Sequence, residues 1–169
     1  MRGRRTGRRS GIAPFVNVTV RAASSGADET FVADLGRRTA AASVSSLRPA
    51  PEGLVENALE RLLETVAAQS HRALIAEYGG ERAGFVLLLD RLPDDVTSIP
   101  QGFVAYMAVE PSLRSRGIGT ALLAAAEDEA RRCGLPYIAL MVTEENAAAR
   151  ALYERAGYAT ERRLLCKAL

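Results

Sequence analysis

The sequence is poor in the residues that most metal sites and nucleophile sites require. It has no tryptophan, one histidine (His71) and two cysteines, Cys133 and Cys166. A single histidine leaves little material for a zinc site or a Ser-His-Asp triad, so we expect no metal. The two distant cysteines form neither a metal-ligand pair nor a disulfide framework, and the expected compartment is therefore a reducing cytoplasm.

Long apolar runs and a globally basic surface are also missing. No stretch approaches 18 apolar residues, so we predict no membrane-spanning helix and no membrane partner. Five of the 22 basic residues lie in the first nine positions, and the rest of the chain has more acids than bases. We therefore expect a disordered basic tail over 1–14, one domain over 15–169 and no nucleic-acid partner. Contact with RNA or a ribosome, and a targeting signal, are the alternatives for the tail.

The apolar periodicity predicts a single α/β domain. Of the 169 residues, 48% are apolar, which is enough for one core. Apolar residues recur at helical spacing or in short strand-like runs in ten segments. The helices are predicted at 28–39, 52–68, 117–132 and 146–156. The strands are predicted at 15–21, 72–78, 82–89, 102–109 and 136–142, with one or two more in 158–169. The Gly79-Gly80 hairpin implies antiparallel pairing and the later α/β alternation implies parallel pairing, so the sheet should be mixed.

The turn before the third predicted helix has the properties of a phosphate site. Gly117 and Gly119 stand between an apolar strand and an amphipathic helix, where glycine lets the backbone approach a bulky anion. The first amides of a helix have no internal partner, and the helix dipole adds positive potential there. Arg114 and Arg116 can add forked hydrogen bonds to phosphate. Together these features predict a pyrophosphate cradle.

Two common phosphate loops do not fit this turn. A P-loop needs Lys-Ser or Lys-Thr after its second glycine, whereas Thr120 and Ala121 follow here. A dinucleotide fingerprint needs a third glycine at the position of Leu122. It also needs an acid about 20 residues further on, where residues 138–140 are apolar.

A third motif fits over a longer stretch. Residues 107–123, Met-Ala-Val-Glu-Pro-Ser-Leu-Arg-Ser-Arg-Gly-Ile-Gly-Thr-Ala-Leu-Leu, resemble the Arg/Gln-x-x-Gly-x-Gly/Ala cofactor motif of the GNAT superfamily of N-acetyltransferases. A second block at 146–158, Asn-Ala-Ala-Ala-Arg-Ala-Leu-Tyr-Glu-Arg-Ala-Gly-Tyr, follows in the family's order. The resemblance runs from about Val18 to the C-terminus. It implies a GNAT-like fold with splayed central strands and acetyl-CoA as cosubstrate, without a metal.

The resemblance also implies which residues hold the cosubstrate. Main-chain groups of the strand before the turn would bind the pantetheine arm, and the turn would hold the pyrophosphate, mostly through its amides. The strand residues are Met107, Ala108 and Val109. The turn residues are Arg114, Ser115, Arg116, Gly117, Ile118, Gly119 and Thr120. The family's cofactor-binding asparagine corresponds to Asn146, which could instead, or in addition, cap the last helix.

Tyr153 is the candidate catalytic residue. By resemblance it donates a proton to the departing CoA thiolate, and a phenol with a pKa near 10 can protonate a thiolate whose acid has a pKa of roughly 8.5. The alternative is a core tyrosine beside Leu152. A main-chain amide near Val109 would stabilise the oxyanion. Cys133 ends a helix, where the dipole disfavours a thiolate, so direct attack by the amine is preferred to an acetyl-cysteine route.

The general base and the acceptor are not identified by the motif. Many relatives that acetylate protein N-termini carry a glutamate five residues before the asparagine, and this chain has Met141 there. The polar candidates for a base are Tyr106, Glu110, Glu144 and His71. The expected acceptor is a small-molecule amine or a peptide N-terminus. A GNAT-fold domain that binds acyl-CoA without turnover is the alternative, and a homodimer through C-terminal strands stays open.

Overall fold

The computed structural model describes residues 17–168, and the predicted basic tail lies outside them. In chain order the elements are β1 (Val18–Ala22), α1 (Gly26–Thr39), a 3-10 turn (Ala40–Ser43), α2 (Glu52–Ala67), β2 (His71–Tyr78), β3 (Glu81–Pro93), β4 (Pro100–Val109), a second 3-10 turn (Pro111–Leu113), α3 (Ile118–Arg132), β5 (Ile138–Leu140) and α4 (Ala147–Arg155). The five strands form one sheet in the order β1-β2-β3-β4-β5. The predicted single α/β domain with a mixed sheet is confirmed.

The pairing of the strands follows the turn chemistry. Gly79 and Gly80 have φ values of 64° and 86°, the left-handed conformation that a tight hairpin between β2 and β3 requires. The first four strands pair antiparallel, and β5 pairs parallel to β4 after the α3 crossover. Both strands are longer than the predicted 82–89 and 102–109, because β3 and β4 pair as far as Pro93 and Pro100. These prolines stand at the last step of the ladder, where a missing amide donor costs little.

Helices cover both faces of the sheet. The apolar stripe of α3, including Ile118, Leu122 and Ala126, packs with residues of β2, β3 and β4 on one face. On the other face, Val32 and Leu35 of α1 and the apolar side of α2 pack with the alternate residues of the same strands. The resulting core is two layers deep, and it fixes the ends of α1 and α3 relative to β4.

A buried carboxylate attaches the start of α1 to the sheet. Asp28 is fully buried and accepts hydrogen bonds from Arg21 of β1 at 2.9 and 3.0 Å and from Arg82 of β3 at 2.7 Å. It also accepts from the Ser24 amide at 2.9 Å, while Ser25 caps the helix. These bonds, led by those from Arg21, hold the pKa of the Asp28 carboxyl well below its usual range.

The two central strands part from each other halfway along β4. Pairing between β4 and β5 is limited to Gly102–Val104 with Ile138–Leu140. β4 continues to Val109 and remains paired with β3, so residues 105–109 have no strand partner on the β5 side. The predicted splay is therefore confirmed, and β5 is shorter than the predicted 136–142. We call the space beside residues 105–109 the splay gap.

The prediction of one or two strands after Tyr158 is wrong for the residues described. Residues 159–168 form no helix or strand. The apolar side chains of this segment do not alternate with polar ones, and Leu164 and Leu165 are both 87% exposed. Adjacent residues of a strand point to opposite faces, so this pair could not have buried both side chains on one sheet face.

Over the described part of the chain, no helix combines the length and the apolar character needed to cross a bilayer. Among residues 17–168, no three His, Cys, Asp or Glu side chains are grouped so that they could hold a metal ion.

Candidate functional site

The turn before α3 alternates between two backbone conformations. The φ value is −60° at Arg114, 62° at Ser115 and 80° at Gly117, and Arg116 between the last two has no positive φ. Such alternation can direct successive amides to one side, as in the anion-binding nests of phosphate loops. A left-handed conformation costs a non-glycine residue about 1–2 kcal/mol. The strain at Ser115 is therefore a feature of the turn that the motif alone did not reveal.

The amides at the start of α3 have no side-chain cap. The first hydrogen bond of the helix runs from the Ala121 amide to the Gly117 carbonyl at 3.0 Å, and no side chain of the described residues caps the helix. The amides of Ile118, Gly119 and Thr120 are thus left to an external acceptor. The starts of α1 and α4 are different, because Ser25 and Asn146 cap them. An uncapped helix start with its dipole favours an anion.

The two glycines of the turn serve different purposes. Gly117 needs its positive φ, and a Cβ there would meet no atom within 4 Å. Gly119 has an ordinary φ, but a Cβ there would lie 3.1 Å from Cδ2 of Leu152 in α4. The absence of a side chain at Gly119 therefore allows α4 to pack on α3, and the expectation that both glycines admit an anion stays a prediction. The Ile118 side chain is 1% exposed, which leaves only its amide for a ligand.

Two arginines of the turn, Arg114 and Arg116, have no acidic partner among the described residues. No carboxylate among the described residues lies within 4.0 Å of the Arg114 or Arg116 guanidinium, whereas most other arginines in residues 17–168 form an ion pair. The Arg116 Nη1 donates to the Tyr78 hydroxyl at 3.1 Å, and its guanidinium carbon lies 5.5 Å from the Tyr78 ring centroid. The positive charge at the turn is therefore available to an anion.

The strand beside the turn borders the splay gap. The side chains of Met107 and Val109 pack toward α3, and Ala108 is buried on the opposite face. Gly84 of β3 lies opposite Val109, and a Cβ there would be 2.7 Å from the Ala108 main-chain oxygen. Only glycine therefore allows β3 to approach the end of β4 this closely. The main-chain groups of residues 107–109 that face away from β3 meet no strand.

A single segment spans the splay gap on the face opposite α3. Its first part contacts β4 and the residue after it. Thr39 Oγ1 lies 3.2 Å from the Tyr106 hydroxyl, and Arg38 forms a two-fold ion pair with Glu110 at 2.6 and 2.9 Å. Its last part contacts the loop after β5. Ser43 accepts from Thr143 at 2.8 Å through its main-chain oxygen, and Ser45 and Ser46 donate to the Glu145 carboxylate at 2.8 to 3.1 Å. We call residues 38–46 the bridging segment.

Asn146 and Tyr153 lie two turns apart on the same side of α4. The Asn146 Oδ1 accepts from the Ala149 amide at 3.2 Å, so the N-cap role is confirmed, and its Nδ2 donates to no described residue. Tyr153 is half-buried, and its ring centroid lies 6.0 Å from that of Tyr158. Burial raises the pKa of the Tyr153 hydroxyl, and this hydroxyl has no hydrogen bond within residues 17–168.

The four candidate bases differ in what surrounds them. The Tyr106 hydroxyl is engaged at α1, and the Arg38 ion pair lowers the pKa of Glu110. Glu144 is 85% exposed at the side chain and pairs with Arg150 at 2.8 Å. His71 begins β2, about 23 Å along the strand from the end nearest the turn.

Two further residues of the sequence argument lie apart from the turn. Met141 follows β5 and is 81% exposed, and Cys133 is the C-cap of α3. Sequence reasoning missed the roles of Gly84 and of the bridging segment. Glycine inside an apolar strand was the available signal for Gly84. The bridging segment has no local signal, since its contacts join residues about 70 to 100 positions apart.

Solved structures share this architecture. A Pyrococcus furiosus protein described as an acetyl transferase superposes with a TM-score of 0.75 at 26% identity, covering 90% of this chain and 100% of that one. The aminoglycoside N-acetyltransferase AAC(6′)-Iy, solved in complex with CoA, gives a TM-score of 0.65 at 21% identity, with 91% and 95% covered. The second likeness is one of fold alone.

Sequence relatives point to the same family. Over 87 residues the chain is 36% identical to an acetyltransferase of Pectobacterium atrosepticum, covering 52% of this chain and 57% of that protein. Over 68 residues it is 40% identical to mycothiol acetyltransferase of Beutenbergia cavernae, covering 40% of this chain and 22% of that protein. The chain thus matches less than two thirds of the length of either relative. The profile described as the Acetyltransferase (GNAT) family matches residues 42–158, and the chain therefore belongs to the GNAT acetyltransferase family.

Proposed function

We propose that the protein transfers the acetyl group of acetyl-CoA to a primary amine. Acetyl-CoA is the acetyl donor of the family to which the chain belongs. The observation that carries the proposal is the splay gap, which opens beside unpaired main-chain groups of β4 and next to the uncapped start of α3. Free cysteines such as Cys133 suit a reducing compartment, so we propose that the reaction takes place in the cytoplasm.

The residues of the turn and of β4 fit acetyl-CoA in different ways. Met107, Ala108 and Val109 would bind the pantetheine arm through main-chain groups. The turn from Arg114 to Thr120 would hold the phosphates through amides and the two guanidinium groups. Asn146 would contribute its Nδ2, because its Oδ1 already caps α4.

The reaction we propose is a direct transfer. The neutral amine nitrogen attacks the thioester carbonyl carbon, and a main-chain amide near Val109 stabilises the oxyanion. The carbon–sulfur bond then breaks, the nitrogen loses a proton to solvent, and the Tyr153 hydroxyl donates its proton to the CoA thiolate. Water returns a proton to Tyr153 after CoA leaves.

The protonation states of the described residues suit this sequence. A general acid must be protonated before it acts, and burial raises the pKa of Tyr153 above its ordinary value, so the proton is present at neutral pH. Glu110 is a weak base, because its ion pair with Arg38 lowers its pKa. We therefore propose that the amine enters in its neutral form. The value of kcat/KM should then rise with pH up to the pKa of the amine.

The amine would approach under the bridging segment, on the face of the gap opposite α3. The proposed acceptor is either a small-molecule amine or a peptide N-terminus. The acids described beside the gap, Glu110 and Glu145, already have hydrogen-bond partners, so they give no reason to expect a substrate with several positive charges.

A homodimer is also proposed, on the support of the exposed Leu164 and Leu165. Light scattering on the eluting protein tests it, and a monomer at all concentrations would contradict it.

Replacing Tyr153 by phenylalanine tests the proposed mechanism. We expect kcat, measured as CoA thiol released across a panel of amines, to fall about 10²–10⁴-fold while CoA binding stays unchanged. Tyr158→Phe is the matched control, because it removes a second tyrosine hydroxyl whose ring lies 6.0 Å from the Tyr153 ring. Equal kcat values for Tyr153→Phe and wild type would refute the acid role. If the wild type binds acetyl-CoA and acetylates no amine of the panel, the non-catalytic acyl-CoA-binding function replaces the transferase.

A further inference from the structure

Tyr78 is an aromatic residue at the end of β2 that contacts the turn before α3. It pairs with Val18 of β1 and Glu81 of β3, so its backbone is held by strands on both sides. Its ring is half-buried against the core beneath α3. Tyr78 is 38 residues away from Arg116 in sequence, and no motif of the family argument includes it.

The contact between Tyr78 and Arg116 has two parts. The hydroxyl accepts a hydrogen bond from Nη1 at 3.1 Å, and the guanidinium carbon lies 5.5 Å from the ring centroid. This is within the roughly 6 Å range of a cation–π interaction. Arg116 is otherwise exposed and forms no ion pair with a described residue. Tyr78 is thus the one described side chain that restrains Arg116.

Restraint of Arg116 matters because of where it stands. Arg116 lies between Ser115 and Gly117, the two left-handed residues of the turn. A free arginine side chain has several rotatable bonds, and ordering it on a ligand costs conformational entropy. The contact with Tyr78 uses one of the five guanidinium donors, and the others have no partner within residues 17–168. A guanidinium held in this way remains able to bind phosphate oxygens.

From this geometry we propose that Tyr78 is a positioning residue of the acetyl-CoA site and acts through Arg116. By holding the guanidinium beside the turn, Tyr78 lowers the entropic cost of binding a CoA phosphate there. The inference rests on the proposed acetyl-CoA site. It predicts an effect on the affinity for the phosphate-bearing part of the cosubstrate and no effect on the chemical step, because the proposal gives both residues a role toward phosphate only.

Steady-state kinetics of the full chain with three acetyl donors test this proposal. The donors are acetyl-CoA, acetyl-dephospho-CoA, which lacks the 3′-phosphate, and acetyl-pantetheine, which lacks all the phosphates. With acetyl-CoA we expect Tyr78→Leu to raise KM roughly three- to tenfold and Tyr78→Phe, which keeps the ring, about two- to threefold. With acetyl-pantetheine we expect no change in KM, and kcat should stay at the wild-type value with every donor.

A double-mutant cycle separates positioning from general damage. If Tyr78 acts through Arg116, the variant Tyr78→Leu combined with Arg116→Ala should have the same KM as Arg116→Ala alone. Tyr137→Phe, a change in an exposed tyrosine just before β5, is the control and should match the wild type. If Arg116→Ala no longer raises KM when the donor is acetyl-dephospho-CoA, Arg116 binds the 3′-phosphate. If it still raises KM with this donor, Arg116 binds the pyrophosphate. Both results support the proposal.

Three results would overturn it. In the first, the increases in KM of the two single variants multiply in the double variant. In the second, Tyr78→Leu raises the KM for acetyl-pantetheine as much as the KM for acetyl-CoA. In the third, Tyr78→Phe and Tyr78→Leu both have the wild-type KM for acetyl-CoA. Thermal melts check that Tyr78→Leu folds, and Tyr78→Phe keeps the test decisive if it does not. A wild type that binds no CoA in calorimetry would instead refute the proposed function, so the two failures are distinguishable.

Discussion

Replacing Gly84 by alanine tests whether close packing of β3 on β4 shapes the splay gap. The added Cβ would lie 2.7 Å from the main-chain oxygen of Ala108, 3.1 Å from Cδ1 of Leu122 and 3.3 Å from Cγ2 of Ile118. Carbon–oxygen contacts between strands are usually about 3.3–3.6 Å. The ends of the Leu122 and Ile118 side chains can rotate away from the added Cβ. The Ala108 oxygen belongs to the backbone and can move only if the strand moves. The end of β4 must therefore move by roughly half an ångström or more.

The magnitude follows from two opposing effects. Overpacking a core usually costs about 1–3 kcal/mol, and alanine regains roughly 0.5–1 kcal/mol by lowering the entropy of the unfolded chain. We expect Gly84→Ala to lower the free energy of unfolding by about 1–2 kcal/mol. The shift occurs at Ala108 and Val109, which border the splay gap. The value of kcat should therefore fall about tenfold or more, since small misplacements of reacting groups are costly.

Urea unfolding and acetyl transfer, measured on the same preparations, provide the assay. Gly26→Ala is the matched control, because a Cβ at the first position of α1 meets no atom within 4 Å. We expect that control to be neutral or slightly stabilising, with kcat unchanged. If Gly84→Ala is as stable and as active as Gly26→Ala, then close approach of β3 and β4 is not the reason for glycine at position 84.

Two further predictions concern the turn and the start of α1. Gly117→Ala should raise the KM for acetyl-CoA about three- to tenfold, because φ at this residue is 80° and a side chain strains it by about 1 kcal/mol. Gly53→Ala in α2, which also has open space, is its control, and equal KM values would refute the conformational argument. Asp28→Asn should lower the Tm at pH 7, since the folded pKa of Asp28 lies below its unfolded value. The stabilisation from its charge is then present above a pH of about 4 and lost as the pH falls below it. The Tm difference between wild type and variant should therefore narrow in melts between pH 7 and pH 3, and a constant difference would contradict the prediction.

The predicted elements agree with the structure where the signal is local. The helix over 52–68 is observed as Glu52–Ala67, because its apolar residues recur at helical spacing and Pro51 precedes it. The hairpin at Gly79 and Gly80 needs no distant partner to form. The C-terminal strands failed for the opposite reason. A strand exists only if another strand pairs with it, and residues 159–168 find none within the described part of the chain.

The candidate site also has features that the sequence predicts and features that depend on tertiary packing. The arrangement of a glycine turn between an apolar strand and an amphipathic helix was predictable, because the three are consecutive in sequence. The structural roles of individual residues in the turn were not predictable from the sequence. Gly119 was predicted to admit the anion, and only the structure shows that its missing Cβ also leaves room for Leu152, which lies 33 positions later. The strain at Ser115 and the restraint of Arg116 by Tyr78 likewise depend on how distant elements pack.

The amino-acid sequence by itself determined most of the helices and strands, the position of the turn before α3 and the family that the motif indicates. Each of these depends on the spacing of residues that are close together in the chain, and periodicity and turn chemistry express that spacing directly. Only the tertiary structure decided where β4 leaves β5, what the bridging segment joins and which side chain holds Arg116. Those features are contacts between residues about 30 to 100 positions apart. These contacts form only when the helices pack on the two faces of the sheet.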